Sequence, residues 1–369
     1  MIFTCDKSVL CEQALKVSRA VSNKSPMAAL TGILIIAKNG NLTLTGYDLE
    51  MAMKTNVEAD IKQEGKIILD AKLFTDILRK LPEGTVKVEV NERNFCTISL
   101  SKSVFNLVGI NADEYPDLPT VENGKEISLD KDLFASMIRQ TIFCHAEPSI
   151  SPKAIYTGLF CAIENGEIMM AAIDGYRIAI RKEKLESDIR LAFICPAKAM
   201  AEILKMCESE DGDIHIYSST RHIIFEINNI TVISRLIDGE FLDFEKLIPT
   251  EEEIILRTQY NCADMIETFD RISPMVTDPR KTPIRCIIKD GIFKAICNTE
   301  IGTAQDEFEI EMNGDNLEIG FRSNYILDAV RAADCDKVKM NFKGATGQAV
   351  IKPIEGEEFI FIILPIRLK

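Results

Sequence analysis

The sequence predicts an α+β protein built from three copies of one domain, each made of two copies of a helix-plus-strands unit. The first observation behind this prediction is a repeated strand pair. GILIIAKNGNLTLTGYDLEMAM turns at Asn39-Gly40, GLFCAIENGEIMMAAIDGYRIAI turns at Asn165-Gly166, and IRCIIKDGIFKAICNTE turns at Asp290-Gly291. These dipeptides favour the positive φ angles of a tight hairpin turn. Three such hairpins, about 125 residues apart, predict three domains.

The second observation is a helical pattern that repeats twice as often. Apolar stripes typical of amphipathic helices recur every 60–66 residues, beginning at Asp6, Asp70, Asp130, Pro196, Thr258 and Ser323. Asp, Ser and Thr are favoured at helix N-caps, and Pro is tolerated in a first turn. The segments between the helices read as short strands. We therefore expect one helix in each of six units, and domains over residues 1–121, 122–247 and 248–369.

Composition indicates a soluble cytoplasmic protein. Hydrophobic residues make up 46% of the 369 residues and charged residues 27%, with no apolar run of membrane-spanning length and no signal-like start. We therefore expect a cytoplasmic location and no membrane partner. The eleven cysteines stand singly without a CxxC motif, which is typical of reduced thiols in a core.

The charge balance bears on nucleic-acid binding. A net charge of −14 argues against a protein that grips DNA by neutralising phosphates. The acidity is uneven, however, because the six helical segments hold 14 Lys and Arg against 15 Asp and Glu. Those segments cover residues 6–24, 70–84, 130–145, 196–208, 258–271 and 322–336. A near-neutral layer of helices would tolerate DNA beside it.

Helix geometry then gives a shape to expect. Helices pack 8–10 Å apart, so twelve in a closed circle give a diameter of roughly 38 Å between axes and a hole of about 26–28 Å. A DNA duplex about 20 Å wide fits such a hole, whereas six helices leave too little room. We expect a ring with helices inside and sheets outside, formed by a head-to-tail homodimer that encircles duplex DNA without sequence specificity.

Five strings, in order along the chain, resemble the bacterial DNA polymerase III beta subunit, the sliding clamp family. They are GYDLEMAM (46–53), LPEG (81–84), IDGYRIA (173–179), LIDGEF (236–241) and LPIRL (364–368). The resemblance implies three DNA-clamp domains in a homodimeric ring that tethers the replicative DNA polymerase. It also implies loading by an ATP-driven clamp loader, other partners that carry a short clamp-binding peptide, no cofactor and no catalysis.

The resemblance further implies a peptide-binding pocket between the second and third domains. Tyr176 stands where several family members have His, and Leu242 where they have Pro. The matching positions are Lys153, Tyr156, Ile173, Gly175, Tyr176, Arg177, Ile178, Leu242, Lys246, Leu247, Tyr325, Gln348, Ile362, Leu364, Pro365, Ile366 and Arg367. Apolar residues would form the walls, and Arg and Lys would meet a carboxylate or a carbonyl at the rim.

The dimer interface and the DNA-facing surface follow from the same resemblance. Phe105 and Leu107 match an apolar pair that domain one sends to Met275 and Val276 of the partner. Lys72 and Lys102 would face an acidic run formed by Glu300, Asp306, Glu307 and Glu309. The positions that match DNA-facing sites are Lys24, Arg79, Lys80, Lys198 and Lys205, together with the loop 145–149.

Two other classes of function compete with this interpretation. An enzyme is disfavoured, because the three histidines form no HExxH motif and no GxxxxGK[ST] phosphate loop occurs. No metal site is expected either. The second alternative is a ring-shaped interaction scaffold without DNA in its hole, which the sequence separates from a clamp only through the charge of its helices.

Overall fold

The computed structural model describes residues 1–22, 24–121, 124–278 and 282–368. Within these ranges the chain forms six α-helices. They are α1 (Lys7–Ser18), α2 (Ala71–Lys80), α3 (Lys131–Ile142), α4 (Ala197–Ser209), α5 (Cys262–Ile272) and α6 (Ser323–Ala332). None of the described helices is long and apolar enough to cross a membrane.

The strands are short and numerous. The first ten are β1 (Ile2–Asp6), β2 (Gly32–Lys38), β3 (Asn41–Tyr47), β4 (Met51–Glu58), β5 (Asp60–Gln63), β6 (Gly65–Asp70), β7 (Thr85–Val90), β8 (Phe95–Leu100), β9 (Ser103–Val108) and β10 (Lys125–Leu129). The middle of the chain adds β11 (Gly158–Glu164), β12 (Glu167–Ile173), β13 (Arg177–Lys184), β14 (Leu191–Pro196), β15 (Ile214–Ser218), β16 (His222–Ile227) and β17 (Ile230–Arg235). The last part adds β18 (Leu256–Asn261), β19 (Ile284–Lys289), β20 (Ile292–Thr299), β21 (Gly302–Glu309), β22 (Glu311–Gly314), β23 (Leu317–Phe321), β24 (Lys337–Phe342), β25 (Ala349–Pro353) and β26 (Phe359–Ile363).

The first compact unit comprises Met1–Phe134 and Glu202–Leu236. It contains a five-stranded sheet in the order β5-β1-β7-β8-β9 and an eight-stranded sheet in the order β10-β15-β16-β17-β4-β3-β2-β6. The larger sheet joins two sequence repeats, because β17 pairs antiparallel with β4. Strand β9 ends the smaller sheet, so one of its edges has no neighbour among the described strands.

The second compact unit comprises Ala135–Ala201 and Ile237–Lys369. Its nine-stranded sheet has the order β14-β11-β12-β13-β26-β25-β24-β18-β22, and its four-stranded sheet has the order β21-β20-β19-β23. Here too the large sheet joins two repeats, because β13 pairs antiparallel with β26. Strand β21 ends the small sheet and has one open edge in the described part of the chain.

Close packing between helix and sheet explains one glycine of the first unit. Gly46 lies in β3, and a Cβ atom built on it would stand 2.1 Å from the carbonyl oxygen of Val17 in α1. No side chain fits there, so α1 lies directly on the strand. Tyr115 is buried in the same unit and donates its hydroxyl to the carbonyl oxygen of Thr45 at 3.3 Å.

The repeated hairpin turns are confirmed. Asn39 and Gly40 have φ angles of 51° and 76°, Asn165 and Gly166 have 53° and 76°, and Asp290 and Gly291 have 52° and 81°. Positive φ at both central residues is the geometry that this turn requires. Each turn joins the strands that the sequence predicts, β2 to β3, β11 to β12 and β19 to β20.

The predicted helix starts are confirmed for the helices that follow aspartates. Asp6 accepts hydrogen bonds from the backbone N–H groups of Ser8 and Val9, and Asp70 accepts one from Leu73. Asp130 likewise accepts from Leu133 N–H at 2.7 Å.

Other predicted limits need correction. The start at Thr258 is wrong, because β18 continues to Asn261 and α5 begins at Cys262. Thr258 is buried in β18, which pairs with β22 on one side and β24 on the other, and its hydroxyl donates to the carbonyl of Met340. These contacts keep Thr258 in the sheet rather than in the helix. The start at Ser323 is confirmed, because Ser323 is the first residue of α6, but Arg322 rather than Ser323 occupies the N-cap. Helix α1 ends at Ser18, and Asn23 of the predicted segment lies outside the described residues.

Candidate functional site

The candidate site is built around the turn between β12 and β13 in the second unit. Asp174 closes this turn, because its carboxylate accepts hydrogen bonds from the backbone N–H groups of Tyr176 at 2.8 Å and Arg177 at 3.0 Å. Gly175 has a φ of 92°, a conformation that glycine adopts without strain. The turn therefore presents Tyr176 to solvent with half of its surface exposed (51%).

Arg177 anchors the turn from below. Its Nε lies 3.0 Å from Oδ2 of Asp174, its Nη1 lies 2.7 Å from Oδ2 of Asp328, and its Nη2 donates to the carbonyl of Phe143 at 2.7 Å. Burial opposes the charge of the guanidinium, but the nearby Cys144, Asp328 and Asp174 raise the pKa of Arg177. Its donors are thus committed inside the protein. Arg177 supports the site rather than standing at the rim as a free cation.

A stack of alternating aromatic rings and guanidinium groups lies beside the turn. The Arg322 guanidinium carbon is 4.6 Å from the ring centroid of Tyr176 and 5.1 Å from that of Tyr325. Arg322 also donates from Nη1 to the Tyr325 hydroxyl at 2.6 Å. Burial, followed by the charge of Asp174, raises the pKa of Tyr325. Arg322 was not predicted as a site residue. The one sequence signal for it is its position near Tyr325, just before α6.

The predicted isoleucines lie in an apolar cluster on the strands that flank the turn. Ile173, Ile178 and Ile362 are buried together in one cluster, and Ile178 stands directly opposite Ile362 in the pairing of β13 with β26. Phe244 is buried in the same cluster, and Tyr156 packs against it. The predicted isoleucines of the pocket are therefore core residues of this sheet.

Several predicted apolar side chains of the same unit are exposed. Besides Tyr176, they are Leu242 (37% exposed), Leu247 (38%) and Leu364 (44%). The backbone N–H of Leu364 donates to the carbonyl oxygen of Tyr176 at 2.9 Å, which holds the chain end beside the turn. Gln348 donates from its side chain to the carbonyl of Leu247 at 3.1 Å and so ties the domain joint to the same sheet.

The two predicted lysines lie at exposed positions of the same unit. Lys246 lies 2.8 Å from Asp243, whose carboxylate raises the pKa of the lysine by hydrogen bonding. The Nζ of Lys153 lies 5.2 Å from the centre of the Tyr156 ring. Both cations remain open to solvent and can meet an anionic or carbonyl group.

A pocket of about 820 Å³ adjoins the turn. Its walls come from the loop after α3, from the turn and from the start of α6, and they combine aromatic rings with charged groups. It is lined by His145, Ala146, Glu147, Ile150, Ser151, Pro152, Tyr156, Asp174, Gly175, Tyr176, Arg177, Asp278, Arg322, Asn324 and Tyr325. Five predicted pocket residues, Tyr156, Gly175, Tyr176, Arg177 and Tyr325, therefore share one cavity. The loop 145–149, which the resemblance aligns with a DNA-facing site, also contributes His145 and Glu147 to this cavity.

The last predicted residues lie at the end of the chain, after β26. Pro365 is half-buried, and the backbone N–H of Ile366 donates to the carbonyl of Gly320 at 2.8 Å, next to β23. Arg367 is exposed. The chain end thus crosses from the large sheet to the small sheet of this unit, and Lys369 lies outside the described residues.

The predicted DNA-facing residues are all solvent-exposed, and carboxylates lie close to Lys205 and Arg79. Lys205 lies 2.7 Å from Glu202, and Arg79 lies 3.5 Å from Asp76. In the first unit, Glu202 also accepts from Arg19, and Glu210 lies 2.7 Å from Lys16. The remaining exposed members are Lys24, Lys80 and Lys198. Helix carboxylates therefore compensate part of the positive charge.

Five of the predicted interface residues lie on β9 and β21, the two strands with an open edge. Phe105 and Leu107 are half-buried in β9, and Asp306, Glu307 and Glu309 lie in β21. Arg271 binds Asp306, and Lys294 lies 3.4 Å from Glu307, so part of the acidic run is already paired. Of the other predicted members, Met275 and Val276 are half-buried. The remaining ones, Lys72, Lys102 and Glu300, are exposed.

Family models match nearly the whole chain. The N-terminal, central and C-terminal domains of the DNA polymerase III beta subunit match residues 1–119, 128–243 and 245–367. The chain is 31% identical to the beta sliding clamp of Bacillus subtilis over 382 aligned positions that cover all of both chains. This chain belongs to the beta sliding clamp family.

Solved structures of clamps agree with this assignment. The crystal structure of the DNA polymerase sliding clamp from Bacillus subtilis superimposes with a TM-score of 0.93 at 30% identity, and that of a putative DNA polymerase III beta subunit from Eubacterium rectale with 0.92 at 31%. Both matches cover all of each chain. The fold is the three-domain α+β clamp fold, and a sliding clamp acts as a processivity factor rather than an enzyme. In the described part of the chain, no three His, Cys, Asp or Glu side chains are grouped to hold a metal.

Proposed function

We propose that two copies of this chain join head to tail into a ring that encircles duplex DNA in the cytoplasm. The ring tethers the replicative polymerase and other proteins through the site around Tyr176, and a clamp loader places it on DNA. The domain limits in this proposal are 1–121, 122–247 and 248–369. The single observation that carries it is that β9 and β21 each have one edge without a neighbour among the described strands, whereas the equivalent strands elsewhere in the chain are paired on both sides.

The repeats explain why those two edges suit each other. The outer strand of one repeat pairs with the outer strand of another in both large sheets, β17 with β4 and β26 with β13. Strands β9 and β21 are the corresponding outer strands that remain at sheet edges. An open edge offers unpaired N–H and C=O groups to another chain. If β9 of each copy pairs with β21 of the other, two equivalent contacts form. All four open edges are then paired, and the assembly is closed.

Side chains at the edges support the same contact. Phe105 and Leu107 are apolar and half-buried on β9. A Cβ atom on Gly302 in β21 would lie 3.2 Å from the end of Met275, so Met275 covers the start of that strand. Lys72 and Lys102 bring positive charge to the edge that meets the acidic run. Such exposed ion pairs contribute little energy individually but set polarity and register.

Sedimentation tests the dimer. Changing Phe105 and Leu107 together to Asp should convert the dimer to monomers near 41.3 kDa. The matched control is Leu49→Asp, a comparably simple change at a position that is already 48% exposed. A dimer that survives the double change would show that the interface lies elsewhere.

Topology tests DNA encirclement. A ring loaded on nicked circular DNA should resist moderate salt and be lost when the DNA is linearised, because it is linked rather than bound tightly. Reversing the charge of Lys24, Lys80 and Lys198 should reduce loading without affecting dimerisation. Equal retention on circular and linear DNA would favour the alternative, a ring-shaped scaffold without DNA in its hole.

The site around Tyr176 suits a short apolar peptide. Its isoleucine cluster accepts a branched or aromatic anchor, and the exposed leucines and Tyr176 cover the flanks. Lys153 and Lys246 are placed to meet a carboxylate or carbonyl. Titration with a QLxLF-like peptide tests this assignment, and deletion of residues 364–369 should abolish binding. A folded deletion variant that still binds the peptide would discard the pocket.

A further inference from the structure

Cys262 and Cys335 are neighbours at one end of the large sheet of the second unit. Cys262 is the first residue of α5 and directly follows β18, and Cys335 lies between α6 and β24. These two strands pair so that Asn261 stands opposite Lys337, and the backbone N–H of Cys262 donates to the carbonyl of Asp336 at 2.8 Å. The pairing of β18 with β24 therefore brings together two cysteines that are far apart in the chain.

The side chains of this pair are in contact. The thiol of Cys262 donates a hydrogen bond to the sulfur of Cys335. The Cys335 thiol in turn donates to the carbonyl of Lys337 at 3.3 Å, and both cysteines are free thiols. Side-chain rotation can bring two such sulfurs to the bond length of a disulfide, about 2.05 Å.

The two thiols differ in their access to solvent. Cys335 is exposed, whereas Cys262 is buried with 6% of its surface exposed. The other nine cysteines are also buried. An oxidant from solvent therefore reaches Cys335 first, and the oxidised sulfur is already in contact with a second thiol.

Carboxylates beside Cys335 favour one kind of oxidant. Asp334 and Asp336 flank this cysteine in the chain and are exposed. Burial raises the pKa of Cys335, the hydrogen bond from Cys262 lowers it, and the two carboxylates raise it. Like charges repel, so the carboxylates disfavour the approach of an anionic disulfide such as oxidised glutathione. A hydroperoxide is small and uncharged and meets no such repulsion.

We propose that Cys262 and Cys335 form a reversible oxidation site for small hydroperoxides, with Cys335 as the attacking thiol and Cys262 as the resolving thiol. In the first step, the Cys335 thiolate attacks one oxygen of hydrogen peroxide and the O–O bond breaks. The departing hydroxide takes up a proton and leaves as water. Cys335 is then a sulfenic acid.

The second step closes the disulfide. The Cys262 thiol loses its proton and attacks the Cys335 sulfur, and the sulfenic oxygen leaves as water. In total, two thiols are oxidised to one disulfide, and one hydrogen peroxide is reduced to two waters. No other reactant is needed.

The second step is the slower one at neutral pH. Burial, followed by the neighbouring Cys335, raises the pKa of Cys262 to about 12. The thiolate is the nucleophile in this chemistry, so Cys262 attacks slowly even though it is in contact with its target. Cys335 alone therefore reacts on the time scale of a rapid thiol titration.

The disulfide has two consequences for the protein. It closes residues 263–334 into a loop, which restricts the unfolded chain and stabilises the folded one. It also ends the oxidation of Cys335 at a stage that thiols can reverse, whereas further oxidation to the sulfinic acid is irreversible for most proteins.

A second pair of cysteines provides an internal control. Cys161 on β11 and Cys195 on β14 lie on the same face of two paired strands, because Leu159 stands opposite Cys195. Both are fully buried, with 0% of their surface exposed. We expect this pair to stay reduced, because no oxidant reaches either thiol in the folded chain.

Peroxide treatment of the reduced full-length chain tests the proposal. After millimolar hydrogen peroxide is added and removed, the chain is unfolded and its remaining thiols are alkylated. The number of alkylated cysteines should fall by two from eleven, and peptide mass spectrometry should show one disulfide, between Cys262 and Cys335. Dithiothreitol should reverse the change, and the oxidised chain should have a higher urea midpoint than the reduced one. Oxidised glutathione at the same concentration should form the bond more slowly, and a faster reaction would overturn the choice of hydroperoxides.

Three variants separate the roles of the two thiols. Cys262→Ala removes the resolving thiol, so Cys335 should gain two oxygens and become a sulfinic acid. Cys297→Ala is the matched control, because Cys297 is buried in the same unit outside the pair, and it should still form the disulfide. Circular dichroism checks that both variants fold. Cys335→Ser changes an exposed position and keeps the test decisive if Cys262→Ala does not fold, because its ten remaining thiols should all stay reduced.

Three results in the unsubstituted chain would overturn the proposal. One is a sulfinic acid at Cys335 while Cys262 remains a thiol. Another is a disulfide that joins Cys335 to the Cys335 of a second chain. The third is a Cys335 that stays a thiol under peroxide.

Discussion

Nη1 of Arg177 lies 2.7 Å from Oδ2 of Asp328, and this contact ties the turn after β12 to helix α6. The two residues are 151 positions apart in the chain. Asp174 accepts a hydrogen bond from Nε of the same guanidinium, and the carbonyl of Phe143 accepts one from Nη2. One buried cation therefore connects the turn, helix α6 and the Phe143 carbonyl. The shape of the candidate peptide site depends on this junction, because the next residue before Arg177 is the exposed Tyr176.

Replacing Arg177 with Ala should destabilise the second unit strongly. The change leaves Asp174 without its buried partner and removes the contact to Asp328, which is one-third exposed and partly screened by solvent. We expect a loss of about 3 kcal/mol in the free energy of unfolding, measured with urea. The control is Arg285→Ala, whose pair with Glu318 is exposed on both sides and should cost less than about 1 kcal/mol. Equal effects would contradict the buried role of Arg177.

Leu364→Ala should weaken peptide binding roughly tenfold without altering stability. Leu364 is 44% exposed beside Tyr176, so its outer surface is available to a ligand and contributes little to the core. Fluorescence anisotropy with a labelled QLxLF-like peptide measures the change. Val9→Ala is the matched control, because Val9 is 45% exposed in the first unit. Unchanged affinity in the Leu364 variant would place the anchor elsewhere.

Mild acid should destabilise the chain through His222. Burial lowers the pKa of His222, and the nearby Arg235 and Arg221 lower it further. Below the ordinary histidine pKa the unfolded chain takes up a proton that the folded chain resists, so stability falls as the pH drops through this range. Urea midpoints at about pH 7.5 and about pH 5.5 should differ less in His222→Gln than in the original chain. The same difference in both would exclude His222 as the cause.

A single cysteine should react with a thiol reagent in the native state. All eleven cysteines are free thiols, and Cys335 is exposed whereas the other ten are buried. Burial raises the pKa of Cys96 and of Cys161 to about 12, which further suppresses their reaction. Titration with Ellman's reagent should count one thiol before unfolding and eleven after it. Cys335→Ser should remove the native reaction, and a persisting fast thiol would show that a buried site opens.

Much of the fold could be predicted because its signals are local. Asn39-Gly40 and its two counterparts select the turn by their own backbone preferences, and Asp6, Asp70 and Asp130 cap helices whose N–H groups lie two or three residues away. The start of α5 was predicted wrongly at Thr258. There the apolar pattern suits a helix as well as a strand, and two neighbouring strands from distant parts of the chain decide between them.

The site could be predicted only in part. The predicted Ile173, Ile178 and Ile362 lie on strands that the resemblance had aligned, and these residues do meet in one cluster. The use of Arg177 as an internal anchor and the stacking of Arg322 between two tyrosines were not predictable. Both depend on which side chains come into contact although they are far apart in the sequence. The sequence does not distinguish a buried arginine from an exposed one.

The sequence by itself determined the repeats, their hairpin turns and the number of helices, because turn preference and helical periodicity act between residues close along the chain. Only the tertiary structure decided that β17 joins β4, that β26 joins β13, and that β9 and β21 end their sheets. Every outer strand of a repeat presents the same backbone groups for pairing. The pairing of these strands is therefore decided by the packing of whole repeats and not by the residues of any single strand.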